Sequence, residues 1–309
     1  MDGTLVIKAS GGMSNRLQAV LLGAGFCLHT GRRLHVDWRD GLYADSPGNV
    51  FHEFFRLRGV EEVETLPKAA PEDIAPEYWR ENLARPEAIE YLFDNTHFRP
   101  EVVEATSIDL GGPDVDAPVA VGWAPNLDWY IGGLLPRLAE VRPEFAGLDA
   151  VAAAGRLLRE HVVLREDLAE RVERTRTELF PADAPVCGVH VRHTDLESPL
   201  EEFIRVMAAK RAENPRTRFL VCTDNVMVQR TLGRLFPGSF WTEKMMPEPG
   251  EVLHGHLPGE DNVEKGRQAL VDMYLLAHCS EIIHFAPSSF ARIPILLAGL
   301  PPSRSTAIG

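Results

Sequence analysis

The sequence predicts an α/β protein with parallel sheets of the doubly wound type. Apolar segments of strand length alternate with helical stretches in both halves of the chain, as in parallel crossover units. A chain of 309 residues, 45% of them hydrophobic, is long enough to fill two cores. We therefore predict an N-terminal domain over residues 1–145 and a C-terminal domain over residues 146–309.

The N-terminal half begins with one crossover unit. Its predicted elements are a strand at 5–9, a tight loop at 10–14, a helix at 15–30 and a strand at 34–38. Gly31 follows the helix where glycine commonly ends one. Gly11 and Gly12 would let a backbone approach a ligand closely, but they are explained equally well by the turn alone, and the full dinucleotide-binding pattern is absent.

The C-terminal half repeats the alternation, with polar residues where the strands end. An apolar run from Val186 ends in His190, Arg192, His193 and Asp195. The other predicted elements are strands at 218–222, 281–285 and, weakly, 240–242, and helices at 200–213, 226–236, 262–279 and 290–300; a long helical stretch at 148–179 has a break near Leu164. Because ligands bind beyond the carboxyl ends of parallel strands, one rim should carry Arg192, Asp224, Ser288 and Ser289.

Such a rim suits a nucleoside diphosphate. An arginine fork matches a phosphate, and a helix that begins at the two serines would favour an anion. Asp272 offers acceptors to a base with N–H donors, such as guanine. Each residue also has a simpler explanation: Arg192 could pair with Asp195 on a surface turn, Ser288 could only cap a helix, and Asp272 could face solvent.

Several motif blocks, in order along the chain, carry a family resemblance. Residues 188–195, Gly-Val-His-Val-Arg-His-Thr-Asp, resemble the His-x-Arg motif of the GDP-fucose-dependent fucosyltransferase superfamily, especially its bacterial Nod-factor and eukaryotic core α-1,6 branches. The further matching blocks lie at 11–16, 31–39, 220–224, 272–280 and 287–292. Together they span most of the chain.

The resemblance implies a GT-B architecture, in which two Rossmann-like domains face each other across a cleft, and an inverting, metal-independent transfer. The first domain would lie on the acceptor side and the second would bind the GDP-sugar. By position, Arg192 would stabilise the β-phosphate leaving group. The implied donor-binding residues are His190 and Asp272 at the guanine, Ser288 and Ser289 at the phosphates, Asp224 on the same rim, and Gly12 and Asn15 from the first domain.

Two departures from the motif affect the catalytic assignment. His193 replaces a second arginine, and the segment that follows Asp195 is short. In that segment Glu197 is the best candidate for a catalytic base, because Glu201 and Glu202 are explained as acidic residues in the first turn of a helix.

Composition limits the partners. The net charge of −13 argues against nucleic acid and anionic membranes, no apolar run reaches the 18 to 20 residues or so of a membrane span, and the start lacks a basic signal region. We expect a cytoplasmic enzyme without a cofactor, which takes a GDP-sugar and a carbohydrate-type or small-molecule acceptor. Another GDP-hexose as donor, or nucleotide-sugar binding without turnover, remain alternatives.

Cysteine and histidine spacing predicts no metal site. Cys27, Cys187, Cys222 and Cys279 are widely spaced in apolar segments, which is typical of buried free thiols. His254 and His256 form a local pair, but no third ligand lies at a recognisable spacing.

Overall fold

The fold is that of a computed structural model, which describes residues 3–45, 48–96, 99–123, 126–246 and 256–309; within 87–96 the side chains of residues 90 and 93–96 are not described. The chain divides into two compact units, Met1–Arg165 and Glu166–Gly309.

The first unit is built on a parallel sheet. Its strands are β1 (Thr4–Lys8), β2 (Arg33–Asp37), β3 (Phe55–Leu57), β4 (Ile74–Ala75), β5 (Val119–Gly122) and β6 (Val162–Leu164). Its helices are α1 (Met13–Thr30), α2 (Phe51–Phe54), α3 (Trp79–Asn82), α4 (Glu87–Thr96), α5 (Pro100–Thr106), α6 (Leu127–Val141) and α7 (Ala150–His161), with 3-10 turns at Pro71–Asp73 and Pro143–Phe145. The sheet order is β2-β1-β5-β4, with parallel pairing throughout, and β3 pairs antiparallel with β6.

The predicted crossover unit is present. The residues of β1 are all buried, as expected for a strand inside a parallel sheet, and α1 follows after the glycine loop. Gly31 ends α1 with a φ of 75°, and its N–H donates to the carbonyl of Cys27. The break expected near Leu164 is present: α7 ends at His161 and α8 begins at Glu166. The short strand β6 fills this break, and its Leu164 pairs with Phe55.

The second unit repeats the architecture. Its strands are β7 (Val186–Val191), β8 (Arg218–Thr223), β9 (Glu281–Phe285) and β10 (Ser305–Ile308). Its helices are α8 (Glu166–Leu179), α9 (Leu200–Glu213), α10 (Val226–Leu235), α11 (Asn262–Ala277) and α12 (Arg292–Ala298), with 3-10 turns at Ser289–Ala291 and Pro302–Arg304. The sheet order is β10-β9-β7-β8, and every pair is parallel.

One face of this second sheet carries a continuous apolar core. Val189 and Val191 of β7 pack there with Ile283 of β9, against apolar residues of α9 and α10. The weak strand at 240–242 is reduced to a bridge between Phe240 and Leu220. The helix expected at 290–300 begins as a 3-10 turn and becomes α-helical only at Arg292.

Candidate active site

The carboxyl ends of β7, β8 and β9 carry a polar layer on the face opposite the apolar core. His190 is the register partner of Cys222 on β8 and of His284 on β9, so the three side chains share one face of the sheet. Asp272 of α11 lies next to that face, because its side chain is hydrogen-bonded to Cys222; burial is the main cause that raises the pKa of the Cys222 thiol, and the charge of Asp272 raises it further. The strands and α11 thus bring together residues that are far apart in sequence.

Arg192 is the first residue after β7, and its guanidinium is held by a carboxylate. Its Nε donates to Oδ1 of Asp195 at 2.8 Å and its Nη2 to Oδ2 at 2.5 Å. The Arg192 side chain is 22% exposed, so the fork is oriented without being sealed off from solvent. The ion pair that the sequence offered as a simpler explanation is therefore present, and it fixes the direction of the predicted phosphate-binding cation.

Asp224 fastens the loop that carries Arg192. Its Oδ1 accepts from the backbone N–H of His193 at 2.7 Å, and its Oδ2 accepts from the Thr194 hydroxyl at 2.7 Å. Asn225 donates to the carbonyl of His193 at 3.0 Å. Both Asp224 oxygens thus bind the protein's own loop, which makes Asp224 a positioning residue in this geometry; direct contact with the donor stays a prediction.

His190 is buried as a neutral imidazole. Its ring stacks on Phe290, and among the residues that the structure describes its Nδ1 has no hydrogen-bond partner. Burial, with a smaller contribution from the neighbouring charge of Lys244, lowers the pKa of His190 to about 3. A neutral ring with an unsatisfied nitrogen can still form one hydrogen bond with a ligand.

Asp272 is buried, with 2% of its surface exposed, so it is not a solvent-facing carboxylate. Thr242 donates its hydroxyl to Oδ1 at 2.5 Å, and Lys244 forms an ion pair with Oδ2. Burial acts to lower the pKa of Lys244, but Asp272 outweighs it and the pKa is raised, so the lysine keeps its proton.

Thr242 and Lys244 were missed by the sequence reasoning. The only signal was a lysine inside the apolar segment 240–246, which was too short and irregular to be assigned to an element.

The two serines lie at the end of β9, in different environments. Ser288 is buried and its hydroxyl accepts from the N–H of Phe290 at 3.4 Å, as a capping serine does. Ser289 is only partly buried and opens the 3-10 turn. The structure brings both next to Phe290, and thus near His190.

The candidate bases differ in exposure and pairing. Glu197 lies exposed in the loop between β7 and α9, whereas Glu202 lies in the first turn of α9 and pairs with Arg205 at 3.0 Å. Glu201 occupies the same first turn and is exposed. Their placement matches the expectation that only Glu197 lies outside the helix.

In the first unit, a buried arginine supports the glycine loop. Gly12 is the N-cap of α1, and its carbonyl accepts from the N–H of Asn15 at 2.9 Å. Arg16 is fully buried: its Nε donates to the carbonyl of Gly11 at 2.7 Å, and it forms an ion pair with Asp40. The sequence reasoning overlooked Arg16, although it is the last residue of the 11–16 block.

Buried ion pairs continue at the carboxyl ends of β1 and β2. Lys8 contacts Asp37 at 2.7 Å, and Arg39 binds both oxygens of the same carboxylate at 2.7 and 2.8 Å. These two cations hold the pKa of Asp37 below its ordinary value, although burial alone would raise it.

The described residues test part of the predictions about thiols and metal ligands. All four cysteines are buried and free, as predicted. Within 3–45, 48–96, 99–123, 126–246 and 256–309 no three His, Cys, Asp or Glu residues cluster as metal ligands would. His254 lies outside the described residues. In the part of the chain that the structure covers, no helix is both long and apolar enough to span a membrane.

Comparison with known proteins gives a consistent result. Residues 150–300 match the family described as Nodulation protein Z (NodZ). Nodulation protein Z of Azorhizobium caulinodans is 27% identical over 319 residues, covering 95% of this chain and 89% of the relative. A structure of NodZ α-1,6-fucosyltransferase soaked with GDP-fucose is 25% identical, with a TM-score of 0.65, and covers 96% of this chain and 92% of that one. These similarities fit the GDP-fucose-dependent fucosyltransferase superfamily.

Further solved structures support the fold. Fucosyltransferase NodZ from Bradyrhizobium is 26% identical with a TM-score of 0.66, over 96% of this chain and 93% of that one. A GDP complex of Arabidopsis thaliana FUT1, at 15% identity and a TM-score of 0.56, covers 99% of this chain and 72% of that one and shows the fold alone. The predicted GT-B class and the predicted superfamily are both confirmed.

Proposed function

We propose that the chain transfers L-fucose from GDP-fucose to a glycan or a glycosylated small molecule, with inversion at the anomeric carbon. The observation that carries this proposal is the oriented cation at the end of β7: Arg192 is held by Asp195, next to a neutral His190 and a buried Asp272. This geometry occurs in a chain that resembles a superfamily whose solved structures include a complex with GDP-fucose.

The leaving group sets the chemical requirement. When the bond between fucose and the β-phosphate breaks, negative charge develops on the diphosphate, and a fixed cation lowers the energy of that state. Arg192 supplies the cation, and the loop bonds of Asp224 keep it in place. The partly buried hydroxyl of Ser289 is the second group that we assign to the phosphates, and we assign Ser288 a capping role beside it.

The base and the acceptor side complete the proposal. Glu197 is exposed and outside the helix, so it can take the proton of an acceptor hydroxyl late in the reaction. Gly12 and Asn15 remain proposed donor contacts of the first unit. Because Arg192 already meets the diphosphate charge, we propose that the reaction needs neither a metal ion nor another cofactor.

The cysteines bear on where the protein acts. The four buried, free thiols fit a reducing compartment, and we propose the cytoplasm.

Turnover with defined donors tests the function. The purified protein should release GDP from GDP-fucose in the presence of an oligosaccharide acceptor, and mass spectrometry should find the acceptor heavier by one deoxyhexose. GDP-mannose is the matched donor, because it carries the same nucleotide with a different sugar. The same assay in EDTA should give an unchanged rate. GDP-fucose binding without product in any acceptor mixture would make the chain a binding protein, and a rate restored only by Mg²⁺ or Mn²⁺ would refute metal independence.

A further inference from the structure

The ion-pair network at the carboxyl edge of the first sheet contains one cation more than its carboxylate requires. Lys8 and Asp37 end β1 and β2 as register partners, and their side chains are 1% and 2% exposed. This buried lysine already neutralises the buried carboxylate. Arg39 adds a second positive charge, with its Nε 2.7 Å from Oδ1 and its Nη2 2.8 Å from Oδ2. Charge balance within the fold therefore does not explain Arg39.

Arg39 is charged and remains open to solvent on one side. Its side chain is 26% exposed. Among the described carboxylates only Asp37 raises the pKa of Arg39, and this effect outweighs that of partial burial, whereas the exposed Glu87 acts on Lys8 instead. Asp37 binds two of the five guanidinium N–H donors. In the described part of the chain the other three, at the end formed by Nη1 and Nη2, stay available.

The same pairing geometry occurs at Arg192 in the second unit. There the arginine uses its Nε and Nη2 to bind both oxygens of Asp195, and its side chain is 22% exposed. Arg192 directly follows β7, and Arg39 lies two residues after β2, so each lies just beyond the carboxyl end of a parallel strand, where ligands bind. A guanidinium that is fixed along one edge, as Arg39 is, presents its other edge in a defined direction, which suits an oxyanion.

The backbone that carries Arg39 is fixed by its neighbour Trp38. This tryptophan is fully buried, and its backbone N–H donates to Oδ1 of Asn49 at 3.0 Å. Its ring packs against Phe51 and Phe55, with centroid distances of 5.3 and 6.0 Å. Because the support is rigid, a ligand that binds the guanidinium would not have to order it first.

We infer that Arg39 binds an oxyanion on the acceptor, so that the preferred acceptors are sugars that carry a sulfate or a carboxylate group. The inference rests on the proposed function and takes the first unit to lie on the acceptor side. The diphosphate of the donor already has Arg192 as its cation. A chain with a net charge of −13 repels anionic ligands in general, so a fixed local cation is needed to hold one.

Matched acceptors test the inference. The full chain is assayed with GDP-fucose and a library of neutral oligosaccharides, each beside its singly sulfated form and its uronic acid form. For at least one pair, wild-type protein should have a KM about tenfold lower for the charged member. Arg39→Met should abolish this preference, while kcat for the neutral member and KM for GDP-fucose stay within about twofold. Arg39→Lys should keep part of the preference, since its charge remains and the planar fork is lost.

Arg176→Met is the matched control. Arg176 binds both oxygens of Glu173 through the same two nitrogen atoms, but it lies on the surface of α8 in the second unit. This variant should leave every KM unchanged. A loss of preference in Arg176→Met equal to that in Arg39→Met would mean that the overall charge of the chain sets the preference, and the inference would be wrong.

The outcomes separate the inference from the function. If wild-type protein transfers fucose to no member of the library, the proposed function fails and the inference fails with it. Equal KM values within every pair, or a preference that Arg39→Met retains, overturn the inference alone. A raised KM for GDP-fucose in Arg39→Met, with the acceptor preference intact, would assign the oxyanion to the donor and overturn it as well. Arg39→Lys keeps the test decisive where Arg39→Met does not fold, because an undiminished preference in Arg39→Lys also contradicts the inference.

Discussion

The imidazole of His190 lies against the phenyl ring of Phe290, with ring centroids 4.7 Å apart and an angle of 15° between the planes. This stack connects the 3-10 turn that follows β9 to His190, which lies two residues before Arg192. It orients the ring by packing, while its Nδ1 stays without a hydrogen bond in the described part of the chain. The ring is thus held ready for a ligand and kept away from water.

Burial of His190 predicts an acid-sensitive stability. Its pKa is about 3 in the folded chain against an ordinary 6.5, so below about pH 6.5 the unfolded chain binds a proton that the folded chain does not. This contribution to the free energy of unfolding is complete above about pH 6.5 and declines as the pH falls towards 3. Between pH 7.5 and 5.0 it should decrease by about 2 kcal/mol.

Denaturant unfolding of His190→Gln at these two pH values checks the prediction. Between pH 7.5 and 5.0, the free energy of unfolding of the variant should decrease by about 2 kcal/mol less than that of wild type. His256→Gln is the control, because His256 is exposed. An unchanged pH dependence in His190→Gln would show that the histidine takes up a proton in the folded state.

Arg192 should be the residue whose loss slows the reaction most. Arg192→Ala should reduce kcat about a hundredfold, corresponding to about 3 kcal/mol of charge stabilisation in the transition state. Arg192→Lys should retain only part of the wild-type kcat, since an ammonium group cannot reproduce the bidentate geometry of the guanidinium. Arg205→Ala is the matched control, because Arg205 also pairs with an acid three residues away but is exposed on α9. A folded Arg192→Ala enzyme with normal turnover would disprove the assignment.

Asp224 should act on the rate through the loop that it fastens. Asp224→Ala removes two hydrogen bonds, at a cost of about 2 kcal/mol in stability. Because the loop carries Arg192, kcat should fall about tenfold while the affinity for GDP stays within about threefold. Asp261→Ala removes an exposed cap of α11 and should reduce stability by about 1 kcal/mol without changing kcat. If GDP affinity collapses in Asp224→Ala and kcat does not, Asp224 binds the donor directly.

Substitution by alanine should have opposite effects on stability at two adjacent glycines of α6, Gly132 and Gly133. A methyl group at Gly132 meets nothing within 4 Å, so Gly132→Ala should stabilise the protein by about 1 kcal/mol through helix propensity. At Gly133 the methyl carbon would lie 2.7 Å from the carbonyl oxygen of Gly111. Backbone cannot move aside cheaply, so Gly133→Ala should destabilise by about 1 to 3 kcal/mol. Melting curves of both variants test this prediction. Equal stabilisation would show that a methyl group at Gly133 has more space beside the Gly111 carbonyl than the 2.7 Å distance indicates.

The parts of the fold that the sequence predicted are those with local signals. The continuous apolar run of β7 and the periodic apolar face of α1 are readable within a few residues. Phe240 shows the limit: its β character was visible, but it contributes only a bridge to Leu220. The break near Leu164 was predicted, but the strand within it was not, because that strand pairs with Phe55 in a distant part of the sequence and no local pattern indicates such a pairing.

The same holds for the site: residues with a local sequence signal could be predicted, and the others could not. Arg192 and Ser288 could be placed because they follow strands, and parallel strands end at one edge. The partner of Asp272 could not be found, since Lys244 lies 28 residues away in an irregular segment. The role of Asp224 in its own loop was equally hidden, because a carboxylate at a strand end can bind a ligand or its own loop, and the two loop hydrogen bonds are visible only in the structure.

The buried guanidinium of Arg16 has a consequence for the cost of binding. Arg16 holds the carbonyl of Gly11 and lies over the rings of Trp38 and Tyr43, at 5.3 and 5.1 Å. A glycine-rich segment would ordinarily lose much conformational entropy when it closes on a ligand. Here the buried Arg16 already orders the segment when the protein folds. A ligand that contacts this backbone would therefore lose less binding free energy to the ordering of the loop.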